Sequence, residues 1–275
     1  MKSIRGRRFA SNRIDKKFKE LKTKKKKALI LFLTGGDPDF KKNEELILAF
    51  EKDGADLIEI GVPFSDPLAD GPVIQASSQR ALKKKANVKK ILELVRNVRK
   101  RSQIPIVLMT YLNPVMQVGY KKFAKDAKKA GVDGMIFPDL PPEEGGEVAP
   151  SMRREGLSLI YLLAPTSSIV RKKSVARASR GFIYYVSITG VTGMRRELPK
   201  EIQKDILQIK RFSKTPVCIG FGISEPAQAR EAAKNADGVI VGSAVVKFIH
   251  EHARESAAQI SRKIVRPFAL ALGKG

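Results

Sequence analysis

The 275-residue sequence predicts an α/β fold, a single (β/α)8 TIM barrel with an extra N-terminal helix. Short runs rich in Val and Ile alternate eight times with longer charged amphipathic segments, which is the number of units in such a barrel. Three similar motifs, DGADL at 53–57, AGVDG at 130–134 and NADGV at 235–239, mark joins between helix and strand. A doubly wound open sheet is the alternative that the same alternation allows.

Each apolar run predicts a strand, and each amphipathic segment predicts a helix. The predicted strands cover residues 29–34, 57–62, 105–111, 134–138, 158–164, 182–188, 216–221 and 238–241. The predicted helices cover residues 44–52, 88–99, 123–130, 144–154, 169–178, 200–212, 226–234 and a final stretch from 243 towards 272. Ile14, Phe18 and Leu21 recur with helical spacing and predict the extra first helix. We therefore assign residues 13–275 to the catalytic barrel and residues 1–12 to a flexible basic extension.

The net charge of +25 is unusually high for a chain of this size. The first 27 residues contain 13 Lys or Arg residues and two acidic residues, a local charge of +11. Such clusters can bind nucleic acids, membranes or acidic partners. Here the remaining positive charge is spread over helical segments, and no aromatic residues interleave it as they do in nucleic-acid platforms. We therefore expect a solvated basic surface and no nucleic-acid partner.

The sequence contains no apolar run near the length needed to cross a bilayer, and no signal peptide. It therefore predicts a cytoplasmic protein without a membrane partner. A plastid transit peptide is the alternative, because residues 1–12 contain no acidic residue. The single cysteine, Cys218, allows no internal disulfide, and its apolar surroundings predict a core residue.

The stretch GADLIEIGVPFSDPLADGPVIQ, residues 54–75, contains the clearest functional signal. Glu59 interrupts an apolar strand, where an unpaired ionised carboxylate is costly. The following loop holds Asp66 and Asp70 among prolines and glycines that stiffen it. Because barrel active sites lie at the carboxyl ends of the strands, we predict an active site built on Glu59 and this loop. A structural ion pair is the alternative.

Glycine-rich loops follow the sixth, seventh and eighth predicted strands, at residues 189–193, 220–224 and 242–243. Glycine lets backbone amides approach an anion closely, and a helix beginning at Ser243 would point its positive end towards it. Barrels commonly bind phosphate after strands seven and eight. The three loops therefore predict a phosphate-binding site.

The positions of histidine and lysine in the sequence exclude several kinds of catalytic site. The two histidines, His250 and His252, lie in the final predicted helix, which argues against a histidine-based triad or a zinc site, and we predict no metal. No predicted strand contains a lysine for a Schiff-base aldolase. The chemistry must then rest on carboxylates, tyrosines and backbone dipoles. Tyr111 and Tyr184 are candidates, with core packing as the equal alternative.

Residues 54–75, together with LFLTGGDP, SITGVTG, IGFGIS and IVGSAVVK in this order, strongly resemble the alpha subunit of tryptophan synthase. The match runs from about residue 13 to the end of the chain. It implies a lyase that cleaves indole-3-glycerol phosphate by a retro-aldol route to indole and glyceraldehyde 3-phosphate, in the last steps of L-tryptophan biosynthesis. It also implies no cofactor in this chain, and a beta subunit carrying pyridoxal phosphate as partner in an alpha2beta2 heterotetramer.

The resemblance also assigns roles to individual residues. Glu59 falls at the position of the acid–base group for indole C3 and the glycerol hydroxyl, and Asp70 at that of the carboxylate that binds the indole N–H. Substrate binding is implied for Phe32, Tyr111, Tyr184, Thr192, Gly193, Gly222, Gly242 and Ser243, and contact with the beta subunit for Pro63, Asp66 and Pro67. Thr192 resembles the residue that closes over the substrate.

The high positive charge departs from the family and leaves two alternatives open. One is a stand-alone indole-3-glycerol phosphate lyase that releases free indole. The other is a polyanion-binding barrel that uses the basic surface, for which binding would fall steeply with salt.

Overall fold

A computed structural model describes residues 11–186, 200–220 and 222–274 of the chain. Within these residues, nine short strands form one sheet in which every pairing is parallel. The strands are β1 (Ala28–Thr34), β2 (Leu57–Gly61), β3 (Ile106–Met109), β4 (Gly134–Ile136), β5 (Ser158–Ile160), β6 (Leu162–Leu163), β7 (Ile183–Val186), β8 (Val217–Gly220) and β9 (Gly238–Val241). Their order is β5-β4-β3-β2-β1-β9-β8-β7-β6, and β5 and β6 are consecutive in the chain, so the sheet forms a nearly closed barrel.

Twelve α-helices accompany the strands in the described part of the chain. They are α1 (Arg13–Thr23), α2 (Phe40–Lys52), α3 (Pro72–Lys83), α4 (Val88–Arg99), α5 (Leu112–Val118), α6 (Tyr120–Ala130), α7 (Val148–Arg154), α8 (Ile169–Ala178), α9 (Lys200–Phe212), α10 (Pro226–Ala232), α11 (Ser243–Glu251) and α12 (Ala257–Ala271). A 3-10 helix, Pro142–Glu144, precedes α7. No helix among the described residues is both long and apolar enough to cross a bilayer.

The predicted barrel with its extra N-terminal helix is confirmed, with three local differences. The predicted strand 158–164 is divided at Tyr161, because β5 pairs with β4 whereas β6 pairs with β7. The predicted final helix is two helices, α11 and α12. Helices α3 and α5 were not predicted at all. Residues 187–188 and 221 of two predicted strands lie outside the described residues.

Two hydrophobic cores stabilise the barrel, one between strands and helices and one inside the barrel. The apolar face of α1, formed by Ile14, Phe18 and Leu21, packs against the inner core. The α1 N-cap, Asn12, donates to the Asp133 carbonyl oxygen over 2.9 Å and to the Ser158 hydroxyl over 2.8 Å. These two hydrogen bonds hold Asn12 against the barrel. The boundary of the basic N-terminal extension stays a prediction, since residues 1–10 are not among those described.

The three similar motifs share an aspartate at the amino-terminal end of the barrel. Each aspartate accepts a hydrogen bond from a backbone N–H near the start of the neighbouring strand: Asp56 from Leu29 (2.8 Å), Asp133 from Ile106 (3.0 Å) and Asp237 from Val217 (2.9 Å). Each also has a basic partner: Lys274 for Asp56, Arg13 and Arg99 for Asp133, and Lys210 for Asp237. The aspartates of the motifs therefore join adjacent strands, and basic side chains from elsewhere in the chain balance their charge.

Candidate active site

Glu59 lies in the middle of β2 and is only 1% exposed. It is in register with Phe32 of β1 and Val107 of β3, and Val107 belongs to the inner core, so these side chains face the barrel interior. Neither carboxylate oxygen of Glu59 has a hydrogen-bond partner among the described residues. Burial, with a further contribution from the charge of Asp70, raises the pKa of Glu59 to about 8. The carboxyl group therefore holds its proton near neutral pH.

Asp70 lies in the loop between β2 and α3, two residues before the helix begins. Burial raises the pKa of Asp70, and a hydrogen bond from the Tyr111 hydroxyl acts in the opposite direction. The Gln75 side-chain amide donates to the Asp70 backbone oxygen over 2.8 Å. The loop thus presents a second carboxyl group that has a polar partner, in contrast to Glu59.

Tyr111 connects this loop to the end of β3. Its buried ring lies 5.3 Å from that of Phe64, centre to centre, and its hydroxyl oxygen accepts a hydrogen bond from the Ala69 N–H over 2.9 Å. Burial is the largest cause that raises the pKa of Tyr111 to about 12, so the hydroxyl stays protonated and donates to Asp70. Tyr111 therefore orients Asp70 and holds the loop in place.

Two aromatic rings line the inner wall, and each lies against a glycine of another strand. A Cβ atom on Gly61 would lie 2.5 Å from the Phe32 ring, and one on Gly220 would lie 2.7 Å from the Tyr184 hydroxyl oxygen. Glycine at these two positions therefore makes room for the rings. Burial, then the charge of Glu59, raises the pKa of Tyr184 well above its usual value, so its hydroxyl stays protonated. Sequence reasoning missed Gly61, whose signal was a glycine inside a strand.

The described part of the predicted phosphate site comprises Gly222, Gly242 and Ser243. Gly242 is the N-cap of α11 and provides no side-chain cap, which leaves the first amides of the helix free of a side-chain acceptor. A Cβ atom on Gly242 would lie 3.7 Å from the Phe32 Cβ, so this helix start adjoins the aromatic wall. Gly222 has φ +76°, which favours glycine. Thr192 and Gly193 lie outside the described residues.

The predicted partner residues lie in the same loop as Asp70. Pro63 is buried, Pro67 is half-buried and Asp66 is exposed, with its carboxylate accepting from the Ser65 hydroxyl over 2.5 Å. Leu68, next in the chain, is 95% exposed. The loop after β2 thus exposes both a carboxylate and a large apolar side chain at the rim of the barrel.

The structure thus brings Glu59, Asp70, Phe32, Tyr111, Tyr184 and Gly242 to the carboxyl end of the barrel. Among the described residues, no group of three or more His, Cys, Asp or Glu side chains is arranged to hold a metal ion. Cys218 is fully buried, as predicted. The site therefore offers a protonated acid, a second carboxyl group, aromatic walls and a helix start suited to an anion.

Comparison with known proteins decides the family. A family model described as "Tryptophan synthase alpha chain" matches residues 18–271. The chain belongs to this family. The tryptophan synthase alpha chain of Geotalea daltonii is 53% identical over 235 residues, covering 86% of this chain and 89% of the relative. That of Pelobacter propionicus is 44% identical over 264 residues, covering 96% and 99%.

Solved structures of the family are similar over nearly the whole chain. Tryptophan synthase subunit alpha from Legionella pneumophila has a TM-score of 0.89 at 40% identity, with 97% of this chain and 100% of that chain covered. Tryptophan synthase from Mycobacterium tuberculosis, in an aminoacrylate-bound form, has a TM-score of 0.85 at 32% identity, covering 95% and 100%. The resemblance predicted from sequence is confirmed, and with it the class of enzyme, a lyase that cleaves indole-3-glycerol phosphate.

Proposed function

We propose that Glu59 and Asp70 carry out the retro-aldol cleavage of indole-3-glycerol phosphate in this chain. The observation that supports these roles is the buried carboxyl group of Glu59, which has no partner among the described residues and shares the barrel mouth with Asp70. A fold that keeps such a group loses stability by it, and enzymes hold perturbed acids of this kind at their catalytic sites.

The reaction breaks the bond between indole C3 and the glycerol side chain. Protonated Glu59 delivers its proton to C3, which places positive charge on the indole nitrogen. Asp70 accepts a hydrogen bond from the indole N–H, and this bond strengthens as the charge develops. The Glu59 carboxylate then removes the proton from the adjacent glycerol hydroxyl. The new carbonyl forms as the C–C bond breaks, its electrons return to the ring, and Glu59 is again protonated.

The remaining residues position the substrate. Phe32 and Tyr184 confine the indole between aromatic walls, and Tyr111 aligns Asp70. Backbone amides at Gly193, Gly222, Gly242 and Ser243, assisted by the Ser243 hydroxyl, bind the phosphate. Thr192 closes over the bound substrate. The mechanism draws on side chains and backbone alone, so it needs no cofactor in this chain.

The partner implied by the family is a tryptophan synthase beta subunit, and we propose that it contacts the loop after β2. Pro63, Asp66 and Pro67 belong to that loop. The exposed Leu68 beside them and Met116 of α5, which is 59% exposed, supply apolar area at the same end of the barrel. We further propose an alpha2beta2 heterotetramer in the cytoplasm, with pyridoxal phosphate held only by the beta subunit.

The test is indole release from indole-3-glycerol phosphate by the purified chain, with and without added beta subunit. We expect slow release alone and a marked increase with the partner. Asp66→Lys should lower the stimulation more than it lowers the rate of the chain alone. Leu270→Asp, which alters an exposed apolar residue on α12, is the control and should change neither. Rapid release without a partner would indicate a stand-alone lyase, and no release in either case would refute the proposal.

A further inference from the structure

Helix α3, which follows the Asp70 loop, is joined to the end of β1 by an ion pair. The Arg80 guanidinium donates from Nε to Asp37 Oδ1 over 2.9 Å and from a terminal nitrogen to Asp37 Oδ2 over 2.6 Å. Asp37 is only 7% exposed. A two-bonded contact of this kind fixes both the distance and the orientation of its partners. It therefore resists both sliding and rotation of α3.

A second contact acts on the same face of the helix. The hydroxyl groups of Ser77 and Thr34 share a hydrogen bond of 2.6 Å, and both residues are buried. Ser77 precedes Arg80 by three residues, so the two side chains lie on one face of α3. Thr34 precedes Asp37 by three residues as well. Two contacts one helical turn apart thus hold α3 at the end of β1.

Asp37 is itself held in position. The Asn43 side-chain amide donates to the Asp37 backbone oxygen over 2.9 Å and accepts from the Gly36 N–H over 2.6 Å. Asn43 is fully buried in α2. Because this amide braces the loop that carries Asp37, Arg80 binds a rigid acceptor.

The same helix also contacts the backbone of Asp70. Gln75, in the first turn of α3, donates to the Asp70 backbone oxygen over 2.8 Å. Pro72 stiffens the start of the helix. On the other side, Thr34 pairs in register with Gly61, two residues beyond Glu59. The contacts between α3 and the end of β1 therefore connect the backbone of Asp70, through β1, to the neighbouring strand β2 that carries Glu59.

We propose that Arg80 and Asp37 are positioning residues for the lyase reaction: their ion pair holds α3 so that Asp70 stays at its working distance from Glu59. This inference rests on the proposed function, in which Asp70 stabilises charge on the substrate. Arg80 and Asp37 act through the helix and need no contact with the substrate.

Arg80→Met tests the proposal in the full chain with its beta subunit. We expect kcat to fall on the order of 10²-fold, as small displacements of catalytic groups do, and KM to change by less than about threefold, because the phosphate site lies on other elements. The charge of Asp70 contributes to the raised pKa of Glu59. If Asp70 moves away, the pKa of Glu59 falls, and the alkaline limb of the kcat/KM pH profile should move to lower pH. The other titratable groups of this region are Tyr184, Tyr111 and Cys218, and the substitution removes none of them.

Further variants separate positioning from general stability. Asp133→Asn, which breaks a buried ion pair at the opposite end of the barrel, should lower stability without moving the pH limb. Arg80→Lys keeps the charge but loses the paired geometry, so it should fall between wild type and Arg80→Met. Asp37→Asn combined with Arg80→Met should be within about twofold of the worse single variant, because the two residues act as a unit. If Arg80→Met does not fold, Ser77→Ala removes the second contact instead, and it should lower kcat and the pKa of Glu59 in the same direction.

A measurement without turnover distinguishes this inference from the proposed function. The Glu59 carboxyl can be titrated by 13C NMR in glutamate-labelled protein, with the signal assigned by its loss in Glu59→Gln. A lower Glu59 pKa in Arg80→Met supports the inference even if the wild-type chain releases no indole, an outcome that would refute only the proposed function. An unchanged Glu59 pKa together with an unchanged kcat in folded Arg80→Met would overturn the inference.

Discussion

Three aspartates at the amino-terminal end of this barrel have an environment opposite to that of Glu59 near the carboxyl end. At the amino-terminal end, Asp56, Asp133 and Asp237 each accept a backbone N–H and contact a basic side chain. At the carboxyl end, Glu59 is as deeply buried as Asp133 but has no polar partner among the described residues. A carboxyl group thus stabilises the fold where it is paired and is left reactive at Glu59, where it is not.

The difference shows how environment assigns a role. A paired carboxylate stays charged and joins strands, so its removal should cost stability and leave chemistry intact. An unpaired buried carboxyl keeps its proton near neutral pH, so its removal should cost chemistry and relieve the fold. Four substitutions test this contrast, and the expected change in free energy decreases from Asp133→Asn to Asn12→Ala.

Asp133→Asn should give the largest loss of stability. Asp133 is 1% exposed and accepts hydrogen bonds from Arg13 (3.0 Å) and Arg99 (2.9 Å). Removing the charge leaves the Arg99 guanidinium buried without its counter-ion, which typically costs about 3–5 kcal/mol. Urea unfolding at pH 7 measures this loss, and a change below about 1 kcal/mol would contradict the assigned role.

Glu59→Gln should stabilise the protein in a pH-dependent way. The pKa of Glu59 is about 8 in the fold and 4.5 in the unfolded reference, so the folded state binds its proton more tightly. Below pH 4.5 both states are protonated and Glu59 imposes no cost. As the pH rises from 4.5 to 8 the unfolded chain ionises first, and wild-type stability falls relative to the variant by on the order of a few kcal/mol.

Unfolding free energies of wild type and Glu59→Gln between pH 4 and 9 check this trend. Glu93→Gln, on the exposed face of α4, serves as the matched control and should give no pH-dependent difference. A constant difference between wild type and Glu59→Gln across that range would show that Glu59 is ionised in the fold.

Tyr111→Phe should have an intermediate effect on catalysis. The change removes the hydroxyl that donates to Asp70 and accepts from Ala69. Since that hydrogen bond lowers the pKa of Asp70, its loss should move the acidic limb of kcat/KM to higher pH and reduce kcat by about tenfold, equivalent to about 1.4 kcal/mol. Tyr161→Phe is the control, because it removes another buried tyrosine hydroxyl. If the acidic limb of the kcat/KM profile lies at the same pH in wild type and Tyr111→Phe, the Tyr111 hydroxyl does not lower the pKa of Asp70.

Asn12→Ala should have the smallest effect, a stability loss of about 1 kcal/mol from the missing helix cap. Its amide also bonds to the Asp133 carbonyl oxygen, so the residue belongs with the stabilising end of the barrel. Deletion of residues 1–10, which leaves the cap in place, should alter neither the melting temperature nor turnover. A large loss of turnover on deletion would place the basic extension in the catalytic site.

Strong periodic patterns predicted most of the fold. Every predicted strand has a counterpart, because the runs are rich in Val and Ile and a parallel strand is buried on both faces. Helix α3 was missed because its buried residues are Ser77, Ser78 and Ala81, which give no apolar period. Helix α5 was missed for a related reason, since only Val115 is buried in it.

The residues of the site also differ in how far the sequence alone could identify them. Glu59 could be singled out because a charge inside an apolar strand is a local signal. The partners of Asp70 could not, because Tyr111 and Gln75 reach it through contacts that the fold creates. The shared aspartate motifs were visible as a repeat, but their function appeared only once the neighbouring strands were paired.

The catalytic role of Glu59 is tested by indole release from indole-3-glycerol phosphate by Glu59→Gln with its beta subunit, at a pH and temperature where the variant is shown to be folded. The glutamine side chain is nearly isosteric but can neither give nor take the proton. We predict a loss of at least about 10³-fold in kcat, within the range that general acid–base groups contribute. Wild-type turnover by this variant would contradict the assignment of Glu59 as the acid–base group.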